Sequence, residues 1–256
     1  MRLTGRTILI TGGSAGIGLA FALKFLELGN EVIVTGRRQA LLDLIKANYP
    51  QLHTIQNDVG DPQQVASLAE RIKDEFPKLD VLFNNAGVGV FKNLTAPEND
   101  LGALLEEVDI NVGGVIRMTS ALIDVLTENK GTVINVSSAL AFAPLPALPI
   151  YSATKAAVHS YTQSLRFQLE GSGVGVIELM PPSVRTDLGS DLAEAGFKLL
   201  TTGQLVDQTF AALKAGKHEI RPGQAKLLAL MRRLAPEFIN RQFWKASKGL
   251  VPPPAA

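Results

Sequence analysis

The stretch that most narrows what this chain can fold into lies near its N-terminus. Residues 7–11 read Thr-Ile-Leu-Ile-Thr, then come Gly12-Gly13-Ser14-Ala15-Gly16-Ile17-Gly18, and then an apolar run from Leu19 to Leu28 that stops at Gly29. The first segment is short, β-branched and apolar, as a strand buried on both faces of a parallel sheet must be. The last reads as a helix. Glycines between a strand and a helix permit a tight turn, the close approach of a pyrophosphate and the close packing of helix on strand. The helix start then supplies free amides and partial positive charge. The spacing is G-x-x-x-G-x-G, and Gly12, Ser14, Ala15, Gly16, Ile17 and Gly18 are the expected phosphate-side residues of a dinucleotide site. Alone, the same string could be an ordinary glycine-rich loop, so the rest of the chain has to decide.

Strand and helix patterns alternate onward. Strands are expected at Val32 to Thr35, His53 to Gln56, Val81 to Phe83, Thr132 to Val136, Val174 to Met180 and His218 to Ile220. Helices are expected at Ala40 to Asn48, Pro62 to Phe76, Pro97 to Glu128, Tyr151 to Glu170 and Leu205 to Lys214. Seven strands joined by helical crossovers imply an α/β fold: one Rossmann-type, doubly wound, seven-stranded parallel sheet with helices on both faces. A single oxidoreductase-sized domain is expected over residues 1–223, with a helical extension over 224–256 that ends in a disordered Pro252-Pro253-Pro254.

Ligands bind at the carboxyl ends of strands in such sheets. Asp58 and Val59 end the third strand, and Asn85, Ala86 and Gly87 the fourth, so all five are assigned to a cofactor. Asp58 either accepts from an adenine amino group or caps the next helix. About ~20 residues after the glycines, where an NAD site places a carboxylate for the ribose, this chain has Gly36-Arg37-Arg38. Two guanidinium groups suit a 2′-phosphate. NADP(H) is therefore favoured over NAD(H), unless the arginines are merely solvated loop charges.

Tyr151-Ser152-Ala153-Thr154-Lys155 places a phenol and an ammonium four residues apart, on one helical face. A phenol titrating near ~10 exchanges protons poorly at neutral pH, and a neighbouring cation is expected to lower that value. Tyr151 would then serve as general acid or base. A packing tyrosine beside a solvated lysine would have the same spacing.

Lys+Arg 25 against Asp+Glu 24 leaves no basic footprint for nucleic acid. Cys 0 removes disulfides, thiolate metal sites and cysteine nucleophiles. His53, His159 and His218 show no metal-ligand spacing, so no metal site is assigned. No uninterrupted apolar run reaches the ~18 residues of a membrane span. The start, Met1 to Arg6, runs straight into a strand, so a cytoplasmic location is expected.

Taken together, Thr11-Gly12-x-x-x-Gly16-Ile17-Gly18, Asn84-Asn85-Ala86-Gly87, Asn111, Ser138 and Tyr151-x-x-x-Lys155 resemble the short-chain dehydrogenase/reductases, in their short single-domain branch. The likeness covers residues ~6 to ~221 and extends to a little-characterised DltE-like subgroup, one member of which is named for a D-alanyl-lipoteichoic acid gene cluster. The resemblance implies a nicotinamide cofactor and catalytic roles for Asn111, Ser138, Tyr151 and Lys155. Ser138 would bond the substrate oxygen, with Ser137 as the alternative. Tyr151 would exchange the proton, Lys155 would hold the nicotinamide ribose and tune Tyr151, and Asn111 would anchor a relay water. The family's Pro-Gly after the sixth strand is Pro181-Pro182 here, which removes an amide donor and alters how the following lid enters. Pro181, Val184 and Thr186 remain as cofactor-side residues.

The expected substrate is an apolar carbonyl or secondary alcohol. Leu140, Phe142, Pro144, Leu145 and Leu148 precede the tyrosine, and a lid over Asp187 to Leu200 adds Leu188, Leu192 and Phe197, although these could equally be core or subunit interface. Beyond Gln224, Leu227, Leu228, Leu230, Met231 and Leu234 alternate with Lys226, Arg232 and Arg233. Such a helix packs on its own subunit or on a homo-oligomer partner (dimer or tetramer), or lies on a membrane surface. The competing functions are a catalytically idle nucleotide-binding sensor or scaffold, which would need none of the four catalytic residues, and a nucleotide-sugar epimerase or dehydratase, which would need a larger C-terminal domain.

Overall fold

The computed structural model describes residues 1–94, 100–186 and 189–251. The expectations for Pro97, Asp187, Leu188 and Pro252-Pro253-Pro254 lie outside those residues. The strands are β1 (Thr7–Ile10), β2 (Glu31–Gly36), β3 (His53–Gln56), β4 (Leu79–Asn84), β5 (Thr132–Val136), β6 (Gly175–Leu179) and β7 (Glu219–Ile220). All pairings are parallel, in the order β3-β2-β1-β4-β5-β6-β7. β1 touches β2 on one side and β4 on the other, so the chain changes its direction of progress there. The crevice of a doubly wound sheet opens at this switch.

The connecting helices are α1 (Gly16–Glu27), α2 (Gln39–Asn48), α3 (Pro62–Glu75), α4 (Leu101–Val108), α5 (Gly114–Glu128), α6 (Pro149–Gln168), α7 (Ser190–Glu194) and α8 (Thr202–Lys214). Their starts follow from local chemistry. Asp61 accepts from the amides of Gln63 (2.8 Å) and Gln64 (3.3 Å), with Pro62 in the first turn. Thr201 and Gln204 form a reciprocal capping box at α8.

Alternate residues of each strand face opposite layers. Ile8, Val34, Phe83, Val136 and Leu179 pack against Phe21 and Phe25 of α1 and Phe210 of α8. Leu9, Ile33, Leu82, Val133 and Val176 pack against Leu68 and Ile72 of α3, Met118 and Leu122 of α5, and Leu165 of α6. The first layer is centred on aromatic rings, Phe21 to Phe83 at 4.8 Å and Phe25 to Phe210 at 4.9 Å. Polar side chains pin the sheet's middle. Asn84 donates to Asn135 Oδ1 (2.9 Å) and Thr119 Oγ1 (3.1 Å), and Asn135 donates to Thr162 Oγ1 (3.0 Å). These bonds tie β4 and β5 to α5 and α6.

α4 and α5 form one continuous helical run, Leu101–Glu128, joined by a π-turn at Asp109–Gly113. By length and composition alone that run could cross a membrane. Arg117 and Asp124 break its apolar sequence, and Met118, Leu122 and Leu126 are buried in the core. Two helices, α9 (Ala225–Leu234) and α10 (Pro236–Ser247), and a 3-10 turn at Lys248–Leu250 follow the sheet.

Candidate active site

The glycine turn between β1 and α1 is shaped by close approach. Gly12 has φ +65°, and a Cβ there would stand 2.8 Å from Ala86 Cα. Asn85 clamps the turn from β4 by donating to the carbonyls of Thr11 (3.0 Å) and Gly12 (3.2 Å). Ala15, the cap position of α1, makes no side-chain bond to the helix amides, and the first turn carries no acidic residue. That helix end therefore presents free amides and positive potential. Gly18 takes the packing role that the glycine turn requires. It does not line the cavity but sits behind it, where a Cβ would come within 2.4 Å of the Gly12 carbonyl oxygen.

Gly12, Ser14, Ala15, Gly16 and Ile17 line one cavity of about 690 Å³ with Arg37, Arg38, Asp58 and Val59, and with Asn85, Ala86, Gly87, Pro181, Val184 and Thr186. Thr35 and Asn57 line it too, and Thr35 Oγ1 and Asn57 Oδ1 are buried polar atoms without a hydrogen-bond partner. Buried orphans of this kind call for a polar ligand. With the uncapped helix and the glycine-lined close approach, they fit the phosphates and adenosine of a dinucleotide.

Asp58 is no helix cap, since Asp61 fills that place. Asp58 Oδ1 accepts from Gly60 N at 2.9 Å, and Oδ2 lies 3.9 Å from Arg37. Arg37 also pairs with Glu106 at 3.2 Å. Arg38 occupies the cap position of α2 and is exposed. The two arginines are thus unequal, one held by carboxylates and the other open to a ligand.

Ser138, Tyr151 and Lys155 meet on the opposite wall. Tyr151 and Ser138 share a hydrogen bond through their hydroxyl groups. Lys155 Nζ donates to the Val136 carbonyl at 2.9 Å and stands 5.5 Å from the centre of the Tyr151 ring. The expected lowering of the phenol by the ammonium is reversed here. Burial pushes Tyr151 up to about 12, the bond from Ser138 pulls the other way, and the Glu107 charge adds to the rise. The ammonium lies over the ring face and is spent on a carbonyl. Burial brings Lys155 down to about 8. Ser137 gives its hydroxyl to Glu178, which also holds His159 Nδ1 at 2.8 Å, so of the two serines Ser138 is the one bonded to Tyr151.

Asn111 is fully buried in the π-turn and does not line the cavity. Its amide donates to Val88 O (2.8 Å) and Thr154 Oγ1 (3.0 Å) and accepts from Val88 N (2.8 Å). It braces the segment after Gly87 against the helix that carries Lys155, with both amide protons spent and one acceptor position of Oδ1 still free.

The remaining wall is apolar. Leu140, Leu148, Leu192 and Phe197 line it as expected, whereas Leu145 is core and Phe142 is turned away, its carbonyl accepting from Arg232 Nε at 3.0 Å. The sequence did not identify the roof. Leu227, Leu228, Met231, Ile239 and Phe243 of α9 and α10 line the same cavity, with Phe243 set edge-on to Phe197 at 6.3 Å. The amphipathic spacing was visible in the sequence, but not the surface it would cover. The segment between Val184 and Leu200 is tied at both ends, through Arg185 N to Leu200 O and Leu200 N to Ser183 O, each 2.9 Å.

The model for the family described as short chain dehydrogenase matches residues 6–196. A Bacillus subtilis (strain 168) protein, "Uncharacterized oxidoreductase DltE", is 39% identical over 224 residues, covering 86% of this chain and 89% of that one. Among solved structures, a short chain dehydrogenase from Burkholderia cenocepacia J2315 in complex with NADP superposes with TM-score 0.84 at 26% identity, covering 95% and 99% of the two chains. A short chain dehydrogenase/reductase from Burkholderia phymatum in complex with NAD gives 0.81 at 25% identity, covering 94% and 96%.

Proposed function

Since the chain belongs to the short-chain dehydrogenase family and is a nicotinamide-dependent oxidoreductase, we propose that it uses NADP(H) to interconvert an apolar carbonyl and its secondary alcohol, with Tyr151 as general acid and base. One observation carries this reading. Ser138, Tyr151 and Lys155 converge on a cavity whose other half is a glycine turn at an uncapped helix start.

The glycine turn and the α1 amides would hold the pyrophosphate, Asp58 and Val59 the adenine side, and Arg38, with Arg37, the 2′-phosphate. Asn85, Ala86, Gly87, Lys155, Pro181, Val184 and Thr186 would hold the nicotinamide half. When bound, the nicotinamide supplies or takes the hydride. Ser138 orients the substrate oxygen and shares its developing charge. Tyr151, protonated at neutral pH, gives its phenolic proton to that oxygen in the reductive direction and takes it back in the oxidative one. Lys155, charged below about pH 8, places positive charge against the ring and favours the phenolate as it forms. Asn111 acts through the backbone it braces. The apolar wall excludes water and selects a substrate without charge.

The enzyme is further proposed to work in the cytoplasm as a homo-oligomer. Leu101, Leu105 and Val108 form an exposed apolar stripe on α4, continued by Ile116, and a second copy would cover it. The function is tested by following NADPH and NADH oxidation with a panel of apolar ketones and aldehydes, beside Tyr151→Phe. Turnover that falls by about 10²–10⁴-fold in the variant, with cofactor binding kept, supports the assignment. Equal activity in the variant refutes it.

A further inference from the structure

The tail that roofs the cavity has a second, outward side. Leu230 and Leu234 continue, at i+3 and i+7, the stripe that Leu227 begins at the cavity edge, and all three are exposed, Leu234 at 74%. Phe238 (52%) and Trp244 (45%), on α10, add aromatic surface. Four exposed cations, Lys226, Arg233, Arg241 and Lys245, lie on the same two helices. From Gln224 onward the sequence holds six Lys/Arg against Glu237 alone, while residues 1–223 hold nineteen against twenty-three Asp/Glu. The whole chain is close to neutral, yet its positive charge is gathered where large apolar side chains face outward.

A second copy of the chain is a poor occupant for this face. A twofold contact sets the same patch against itself, which would bring cation against cation across a closing apolar seam. An anionic lipid surface meets both features at once. Its headgroups answer the cations, and its acyl boundary takes leucine, phenylalanine and the amphipathic tryptophan ring. At ten and twelve residues, α9 and α10 extend only about 15–18 Å each, so they lie on a bilayer rather than cross it.

We propose that α9 and α10 dock the enzyme on an anionic membrane surface, so that one pair of helices faces lipid on its outer side and the substrate cavity on its inner side. Leu228, Met231 and Phe243 look inward to the cavity, which puts the apolar wall one helix thickness from the bilayer. Such a site would draw lipophilic carbonyls out of the membrane. Docking itself requires no turnover, so it stands or falls separately from the activity.

The chain's one tryptophan, Trp244, is a built-in reporter. Full-length protein is mixed with vesicles of pure phosphatidylcholine and of equimolar phosphatidylcholine and phosphatidylglycerol, and both Trp244 emission and co-sedimentation are followed. Docking predicts a blue shift and sedimentation with the phosphatidylglycerol vesicles, weakened by salt and absent with phosphatidylcholine alone. Lys226→Gln/Arg233→Gln should weaken partitioning by roughly tenfold or more, and Leu230→Glu/Leu234→Glu should abolish it. Both double variants should keep cofactor binding, which shows them folded. No partitioning into the anionic vesicles overturns the proposal. So does a concentration-dependent oligomer, formed without lipid, that Leu230→Glu/Leu234→Glu dissolves, because the face would then be a subunit interface.

Discussion

The unequal state of the two arginines at the adenosine end leads to a prediction in which two substitutions act in opposite directions. NADPH and NADH differ only in the 2′-phosphate, so their ratio of affinities isolates whatever holds that group. Arg37 is flanked by Glu106 at 3.2 Å and Asp58 at 3.9 Å; Arg37 and Glu106 are exposed and Asp58 is half-buried. Arg38 makes no ion pair among the described residues and is open to solvent. A hydrogen bond between charged groups contributes about 1.5–3 kcal/mol. Arg38→Ala should therefore weaken NADPH binding by about 10- to 150-fold, while NADH changes by less than about twofold. Glu106→Gln removes a negative charge from beside Arg37. A unit charge close to a bound phosphate contributes between about 1 kcal/mol in water and about 4 kcal/mol near a protein surface. Screening at physiological salt keeps the effect at or below the lower figure, so NADPH should bind roughly two- to fivefold tighter and NADH unchanged. The assay is titration of nucleotide fluorescence with wild type and the two variants, at fixed ionic strength. Equal losses for both nucleotides in Arg38→Ala, or an unchanged NADPH affinity, would refute the argument and assign the preference elsewhere.

Further outcomes follow from the same geometry. Glu107 is buried, and desolvation raises it from 4.5 to about 7. A carboxyl with a raised folded value costs stability as pH climbs from the unfolded value through the folded one. Glu107→Gln should thus gain on the order of 2 kcal/mol above pH 7 and little at pH 4.5, checked by denaturant titration at both pH values. Gly18→Ala sets a Cβ 2.4 Å from the Gly12 carbonyl oxygen and 2.6 Å from Asn85 Nδ2. It should destabilise by about 1–3 kcal/mol and weaken both nucleotides together, since the whole turn must shift. Lys155, brought down to about 8 by burial, is charged below that pH and neutral above it, so reductive kcat/KM should hold up to about pH 8 and then decline, and an unbroken plateau to pH 10 would remove its electrostatic role.

Much of the sheet was legible because its strands are buried on both faces and read as continuous apolar runs. Thr132–Val136, buried throughout, falls where the pattern put it, and the edge strand His53–Gln56, with Ile55 alone buried, is placed by its position between helices. Helix starts were less legible. α1 begins at Gly16 rather than Leu19, because nucleotide-binding glycines double as helix residues. The grouping of Ser138, Tyr151 and Lys155 could be read from spacing plus the turn, but not how it titrates. The titration of Tyr151 depends on burial and on where the Lys155 ammonium points, and neither is a sequence property. Asn111 and Gly18 stand behind the cavity wall rather than on it, a placement that only the path of the backbone reveals. The roof was invisible for a different reason. An amphipathic helix announces that it will cover something, and the sequence does not say what.

That roof also imposes an order on synthesis. The ribosome delivers residues from the N-terminus, and the nucleotide half of the cavity draws on segments up to Thr186. The helices that close the apolar half begin only at Ala225. A nascent chain can therefore complete its sheet and engage a nucleotide before any substrate pocket exists, and a bound nucleotide at that stage favours the folded sheet by mass action. The apolar roof is thus the last part of the described cavity lining to be synthesised.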